Sequence, residues 1–181
     1  IANLFIPKGK KVVYTKGKMA STNRDFYTAV EPVDTVMPLV VMVDGGTASS
    51  AEIVSGSLQD MDRAVIIGTR TFGKGLVQMI RDLPYGGNLK ITTSRYYIPS
   101  GRCIQAYDFK NRNADGQPRH LPDSLCKAFK TAAGRTVYDG GGITPDVTVE
   151  VDSLPTFLTE LKLSDALFDY CANYCHQHKE I

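Results

Sequence analysis

The strongest pattern along the chain is a near-continuous apolar run from Thr35 to Asp44 (T-V-M-P-L-V-V-M-V-D). Such runs predict strands buried on both faces, as in parallel sheets. Gly45-Gly46-Thr47 breaks the run. From Ser49 to Met61, Ile53, Val54, Ser57, Leu58 and Met61 recur at spacings of three and four, which predicts a helix. Arg63 to Thr69 (R-A-V-I-I-G-T) reads as a second buried strand. Strand, helix and strand in this order predict a βαβ unit with a right-handed crossover. Leu76 to Leu83 and Leu89 to Ile98 predict an antiparallel hairpin around Tyr85-Gly86-Gly87-Asn88.

Other segments are weaker. Lys8 to Lys18 reads as a strand and turn with a solvated lysine face. Asp108 to Pro122 is polar and turn-rich, a surface excursion, and Asp139 to Pro145 is a loop leading into a short strand, Asp146 to Val151. Ser164 to His178 predicts a closing helix with Ser164 as its N-cap. The fold class is α/β: a mainly parallel core plus the hairpin, with a core over 1–151 and a helical segment over 152–181.

The 181 residues suit one domain with a sizeable core. A net charge of +2 with interspersed signs gives no nucleic-acid or polybasic membrane surface. No apolar run approaches the roughly 18 residues that span a bilayer. The start, Ile1-Ala2-Asn3-Leu4-Phe5, has no charged n-region and no initiator Met, and is expected to lie in the middle of a domain. Four cysteines are too few for a disulfide scaffold. Cys171, Cys175 and His178 would share a helix face, but a closed metal site needs a fourth ligand and none is obvious.

Two segments carry chemistry. In Gly45-Gly46-Thr47-Ala48-Ser49-Ser50-Ala51-Glu52, small residues allow a sharp strand-to-helix turn. Ser49 would stand where free N–H groups and the helix dipole favour developing negative charge, with the Ser50 N–H as an oxyanion donor. Taken alone, the motif is also an ordinary N-cap, with Glu52 closing a capping box. In Thr71-Phe72-Gly73-Lys74-Gly75-Leu76-Val77-Gln78, Lys74 becomes a candidate base once a serine lies opposite. At its reference pKa only about one lysine in a few thousand is neutral at pH 7, so a base there is expected to be buried in an apolar pocket. No acidic residue lies between Ala64 and Ile80. Gln78 can orient either partner without adding charge. His120, His176 and His178 suit no triad. Gly68 to Gly75 only loosely matches a Walker loop, because Gly75 replaces the magnesium-binding hydroxyl. Asp139-Gly140-Gly141-Gly142 reads as a turn, and Asp60 and Asp62 as surface or capping groups.

Five stretches together resemble the C-terminal processing peptidases, or tail-specific proteases: 46–53 (Gly-Thr-Ala-Ser-Ser-Ala-Glu-Ile), 58–68, 71–78 (Thr-Phe-Gly-Lys-Gly-Leu-Val-Gln), 89–105 and 140–146 (Gly-Gly-Gly-Ile-Thr-Pro-Asp). The resemblance implies a crotonase-like α/β core and serine endopeptidase activity near protein C-termini. Ser49 would be the nucleophile rather than Ser50, because it lies 25 residues before the lysine; Lys74 would be the base and Gln78 its assistant, with no metal or cofactor. It implies unfolded or partly unfolded protein substrates and an exported, periplasmic or membrane-associated location; a homo-oligomer is compatible with it. The family's PDZ domain and its Asp-Leu-Arg-x-Asn-x-Gly-Gly segment, which completes the oxyanion hole, lie outside these residues. The chain also departs from the family's usual Ser-Ala-Ser-Ala-Ser-Glu while keeping the nucleophile. Two rivals stand beside this reading: a non-catalytic ligand- or peptide-binding module, which needs no desolvated Lys74, and a crotonase-type acyl-CoA enzyme, for which the sequence has no motif.

Overall fold

The computed structural model describes residues 1–150 and 155–178. The chain divides into two compact units, Ile1–Val149 and Glu150–Ile181. The first holds β1 (Lys11–Gly17), β2 (Arg24–Tyr27), β3 (Val40–Val43), α1 (Ser50–Asp60), β4 (Val65–Gly68), β5 (Leu76–Asp82), β6 (Asn88–Tyr97), β7 (Tyr107–Arg112), β8 (Pro118–His120), β9 (Ala128–Lys130), β10 (Thr136–Tyr138) and β11 (Val147–Thr148). The second holds α2 (Thr156–Leu163) and α3 (Ala166–Gln177). No helix among the described residues is long and apolar enough to cross a membrane.

The predicted βαβ unit is present: β3 and β4 pair in parallel, Val40 opposite Val65 through Val43 opposite Gly68, with α1 between them in sequence. The strand is shorter than the apolar run suggests. Pro38 has no N–H to give a ladder, and residues 34–37 are held otherwise. The Asp34 carboxylate caps the Val36 and Met37 N–H groups, while Arg63 donates to the carbonyls of Asp34 and Met37. Nor are these strands buried on both faces. Met42 is 86% exposed and Val40 and Val65 are exposed too, because β11–β4–β3 is a three-stranded sheet covered on one side. The larger sheet is antiparallel rather than parallel, in the order β2–β1–β6–β5, and contains the predicted hairpin as β5–β6. The excursion over 108–122 is itself a hairpin, β7–β8.

The core gathers Ile6, Val43, Leu58, Ala64, Ile66, Ile98, Ile104 and Ile143 under α1. The buried face of α1 is more polar than its periodicity implies: Glu52, Ser55, Ser57, Gln59 and Asp60 all lie inside. Asp60 is therefore no surface cap. It is paired at 2.9 Å with Arg102, both at most 1% exposed, and its other oxygen accepts the Ser100 N–H. Arg102 also donates to Gln59 Oε1 at 2.6 Å and to the Tyr138 carbonyl. Asp62, by contrast, is near the surface and binds Arg135 at 2.6 Å. Arg102→Met is expected to cost about 3 kcal/mol of unfolding free energy, since it strands a buried carboxylate; the urea midpoint measures it.

In the second unit, the predicted closing helix is observed as α3, and a shorter helix outside the predicted span, α2, precedes it. Ser164 ends α2, its N–H on the Glu160 carbonyl and its hydroxyl on the Leu161 carbonyl, and the N-cap position of α3 is Asp165. His178 stacks on Tyr174 at 4.1 Å. Among the described residues no group of three or more His, Cys, Asp or Glu side chains is placed to hold a metal. The predicted strand over 146–151 is observed only as β11, and Val151 lies outside the described residues.

Candidate active site

At the end of β3 the chain must turn sharply into α1. Asp44 builds the turn: one carboxylate oxygen accepts the N–H groups of Gly46 and Thr47 and the Thr47 hydroxyl. Ser49 then occupies the N-cap of α1 with φ 59° and ψ −118°. This is the first central position of a type II′ turn, normally a glycine conformation. A serine held there carries roughly 1–3 kcal/mol of strain. Ser49 is half-buried, and Ser50, exposed, opens the helix, so its N–H has no intrahelical acceptor.

Glu52 does more than close a capping box. It is fully buried, and its carboxylate accepts four hydrogen bonds. Oε1 takes the Thr71 hydroxyl and the Gly73 N–H, each at 2.6 Å. Oε2 takes the Ser49 N–H and the Lys74 N–H, each at 2.8 Å. A single oxygen thus links the backbones of the candidate nucleophile and the candidate base. A second tie runs from the Phe72 N–H to the Thr47 carbonyl at 3.0 Å.

The other side of the lysine loop is held by Gln105, which is 5% exposed. Its Oε1 accepts the Gly75 N–H at 2.8 Å, and its amide donates to the Tyr107 carbonyl. The Gly73 carbonyl accepts the Ala106 N–H. Gly73 has φ +82°, and a Cβ there would stand 2.2 Å from the Ala106 Cβ. Gly73→Ala is expected to move Lys74 out of place and to cost at least about 2 kcal/mol of stability through backbone strain. A lowered thermal midpoint would be the result.

Lys74 and Gln78 line one small cavity of about 190 Å³, walled by Phe72, Leu76, Tyr107 and Phe109. Gln78 reaches it from β5 beside a bulge in β6, where Thr93 is skipped as the register slips between Val77 and Gln78. Ser49 does not line this cavity; its connection to Lys74 is the shared Glu52 oxygen. Lys74 is exposed, so the burial expected of a base is not supplied by these residues.

The remaining candidates have other work. The Gly73 and Lys74 amides are committed to Glu52, so the Gly68–Gly75 segment offers no phosphate cradle. In the glycine run, the N–H groups of Gly140 and Gly142 bind the carbonyls of Cys103 and Ile104. His120 packs edge-on against Tyr107 at 5.2 Å. Sequence reasoning missed Thr71 and Gln105 altogether; both are buried polar side chains bonded to loop amides, a role that no local pattern announces.

The chain is 43% identical over 140 residues to the carboxy-terminal-processing protease of Bartonella bacilliformis, covering 77% of this chain and 31% of that protein. It is 39% identical over 142 residues to the chloroplastic C-terminal processing peptidase of Tetradesmus obliquus, covering 76% and 30%. Among solved structures, the photosystem II D1 C-terminal processing protease superposes with a TM-score of 0.58 at 30% identity, over 87% of this chain and 32% of that one. The chain therefore spans under a third of the length of these relatives. The family model for peptidase family S41 matches residues 1–111, more than half of the sequence, and the chain belongs to that family of serine-type peptidases.

Proposed function

We propose that this chain carries the reacting groups of a serine endopeptidase on a crotonase-like core, with Ser49 as nucleophile, Lys74 as general base and Gln78 orienting the lysine. One observation carries the reading: a strained serine at a helix N-terminus shares a buried carboxylate oxygen with the lysine backbone. Neutral Lys74 takes the Ser49 proton as Oγ attacks the scissile carbonyl, and the Ser50 N–H holds the oxyanion. The lysine returns the proton to the leaving amine. Water then hydrolyses the acyl-enzyme with Lys74 again as base. Because Lys74 is exposed, its amine loses water only when a substrate or a further segment of polypeptide closes over the cavity. Substrates are partly unfolded proteins cut near their C-termini, and the protein works outside the cytoplasm; the relatives' names support the C-terminal cut, and the rest is what the family resemblance implies.

Exposure of Lys74 also favours a second reading, a peptide-binding module without catalysis. Casein degradation separates the two, measured on the full-length polypeptide that carries this chain. Lys74→Ala is expected to reduce the rate by at least about 10³, on the scale of losing a general base. Equal degradation by parent and variant removes Lys74 from the mechanism, and a folded parent that degrades nothing leaves the binding module.

A further inference from the structure

Past Leu76, Gln78, Tyr107 and Phe109, the lysine cavity opens into a larger groove of about 720 Å³. The groove's charged lining is four cations, Lys16, Lys18, Arg95 and Lys110, against one carboxylate, Asp108. Asp108 is turned onto its own loop, accepting the Lys110 N–H at 2.9 Å and the Asn111 side-chain amide at 2.7 Å. Among the described residues none of the four cations belongs to an ion pair.

Strand register sharpens the arrangement. Leu76 stands opposite Arg95 across β5–β6, and Arg95 stands opposite Lys16 across β6–β1. Opposed residues on an antiparallel pair lie about 5 Å apart on one face, and like charges so placed destabilise the sheet. Arg95 and Lys16 are both exposed. Lys16 Nζ lies 5.3 and 5.8 Å from the Tyr14 and Tyr97 ring centres, which fixes its position without neutralising it. The row begins two residues beyond Lys74.

We propose that this groove is a substrate subsite for carboxylate side chains, taking an extended acidic stretch of the polypeptide being cut. The inference rests on the peptidase reading for its meaning, although binding can be measured without turnover. An anion between Arg95 and Lys16 relieves their repulsion, and the Arg95 guanidinium can take a carboxylate through two parallel hydrogen bonds. Leu76, Tyr107 and Phe109 offer apolar surface for the residues between. Side chains of an extended peptide alternate in direction, so sequences that alternate acidic and apolar residues fit best.

The test is fluorescence anisotropy on the full-length polypeptide carrying Ser49→Ala. The probes are a labelled unstructured peptide alternating Glu with Ala and its twin with Gln in place of Glu. The Glu peptide is expected to bind about tenfold more tightly at low salt, as two exposed ion pairs of up to about fivefold each allow. The advantage shrinks at high salt and is lost in Lys16→Gln/Arg95→Gln, whose thermal midpoint stays at the parent value or above. Equal affinity for the two peptides overturns the proposal, as does a Glu preference that survives the double substitution. An oligonucleotide of matched charge that binds more tightly than the Glu peptide also overturns it, marking a general polyanion face. Casein cleavage with Ser49 restored tests the dyad separately, so loss of one reading is distinguishable from loss of the other.

Discussion

Ser49→Gly is expected to yield a protein that is inactive and yet more stable than its parent. Ser49 occupies backbone angles of φ 59° and ψ −118°, which glycine adopts without steric cost. Relief of roughly 1–3 kcal/mol of strain, less the 0.5–1 kcal/mol or so that glycine adds through chain entropy, leaves a gain of about 1 kcal/mol. For a chain of this size that raises the melting temperature by about 2–4 °C. If Ser49 is the nucleophile, as proposed, its removal is expected to lower casein degradation by at least about 10⁴. Ser49→Ala separates the two effects: it is equally inactive, but it keeps the strained angles and so gains nothing in stability. Calorimetry beside a proteolysis assay measures both. A Ser49→Gly protein that melts below its parent would mean that the turn is not strained, and an active Ser49→Ala protein would dismiss the nucleophile.

Glu52→Ala is expected to be the most damaging single change in this region. It leaves three N–H groups and a hydroxyl without their acceptor: those of Ser49, Gly73, Lys74 and Thr71. At about 1–3 kcal/mol for each unsatisfied group, partly recovered by water, the loss is about 5 kcal/mol. Glu52→Gln is milder for a specific reason. Its amide nitrogen settles at the Oε1 position, where the Thr71 hydroxyl oxygen, which already accepts the Ile143 N–H, can accept a second bond, so the Gly73 N–H and the Thr71 hydroxyl proton lose their acceptor while the other two N–H groups keep theirs. The oxygen that serves Ser49 and Lys74 survives. Glu52→Gln is therefore expected to cost about 2 kcal/mol and to retain measurable proteolysis, whereas Glu52→Ala retains none. Denaturation midpoints and casein turnover for the pair provide the check; equal losses for Gln and Ala would show that the carboxylate's two oxygens do not act separately.

What was legible in the sequence was local. The 3.6-residue pattern over 49–61 and the apolar runs on either side fix β3, α1 and β4 because each is decided by neighbours in the chain. The β5–β6 hairpin is legible for the same reason, its strands meeting across a short turn. Long-range placement was not legible. Asp60 near the end of a helix looks like a cap until Arg102, 42 residues away, meets it inside the core. Glu52 reads as a capping partner of Ser49, which it is; its bonds to Thr71, Gly73 and Lys74 span 19, 21 and 22 residues. The exposure of Met42 could not be read either, since an apolar run does not say how many layers will cover it. The candidate Ser49, Lys74 and Gln78 were identifiable from their motifs, but the shared oxygen that joins the first two belongs to the fold.

The bare face of β3 and β4 has a consequence for how the chain behaves in a tube. Val40, Met42 and Val65 form an exposed apolar row, and β3 is the last strand on its side of the described sheet. An unpaired strand edge beside such a row invites another chain to add on. Self-association grows with concentration while unfolding within one molecule does not. Light scattering from this chain is therefore expected to rise with its concentration.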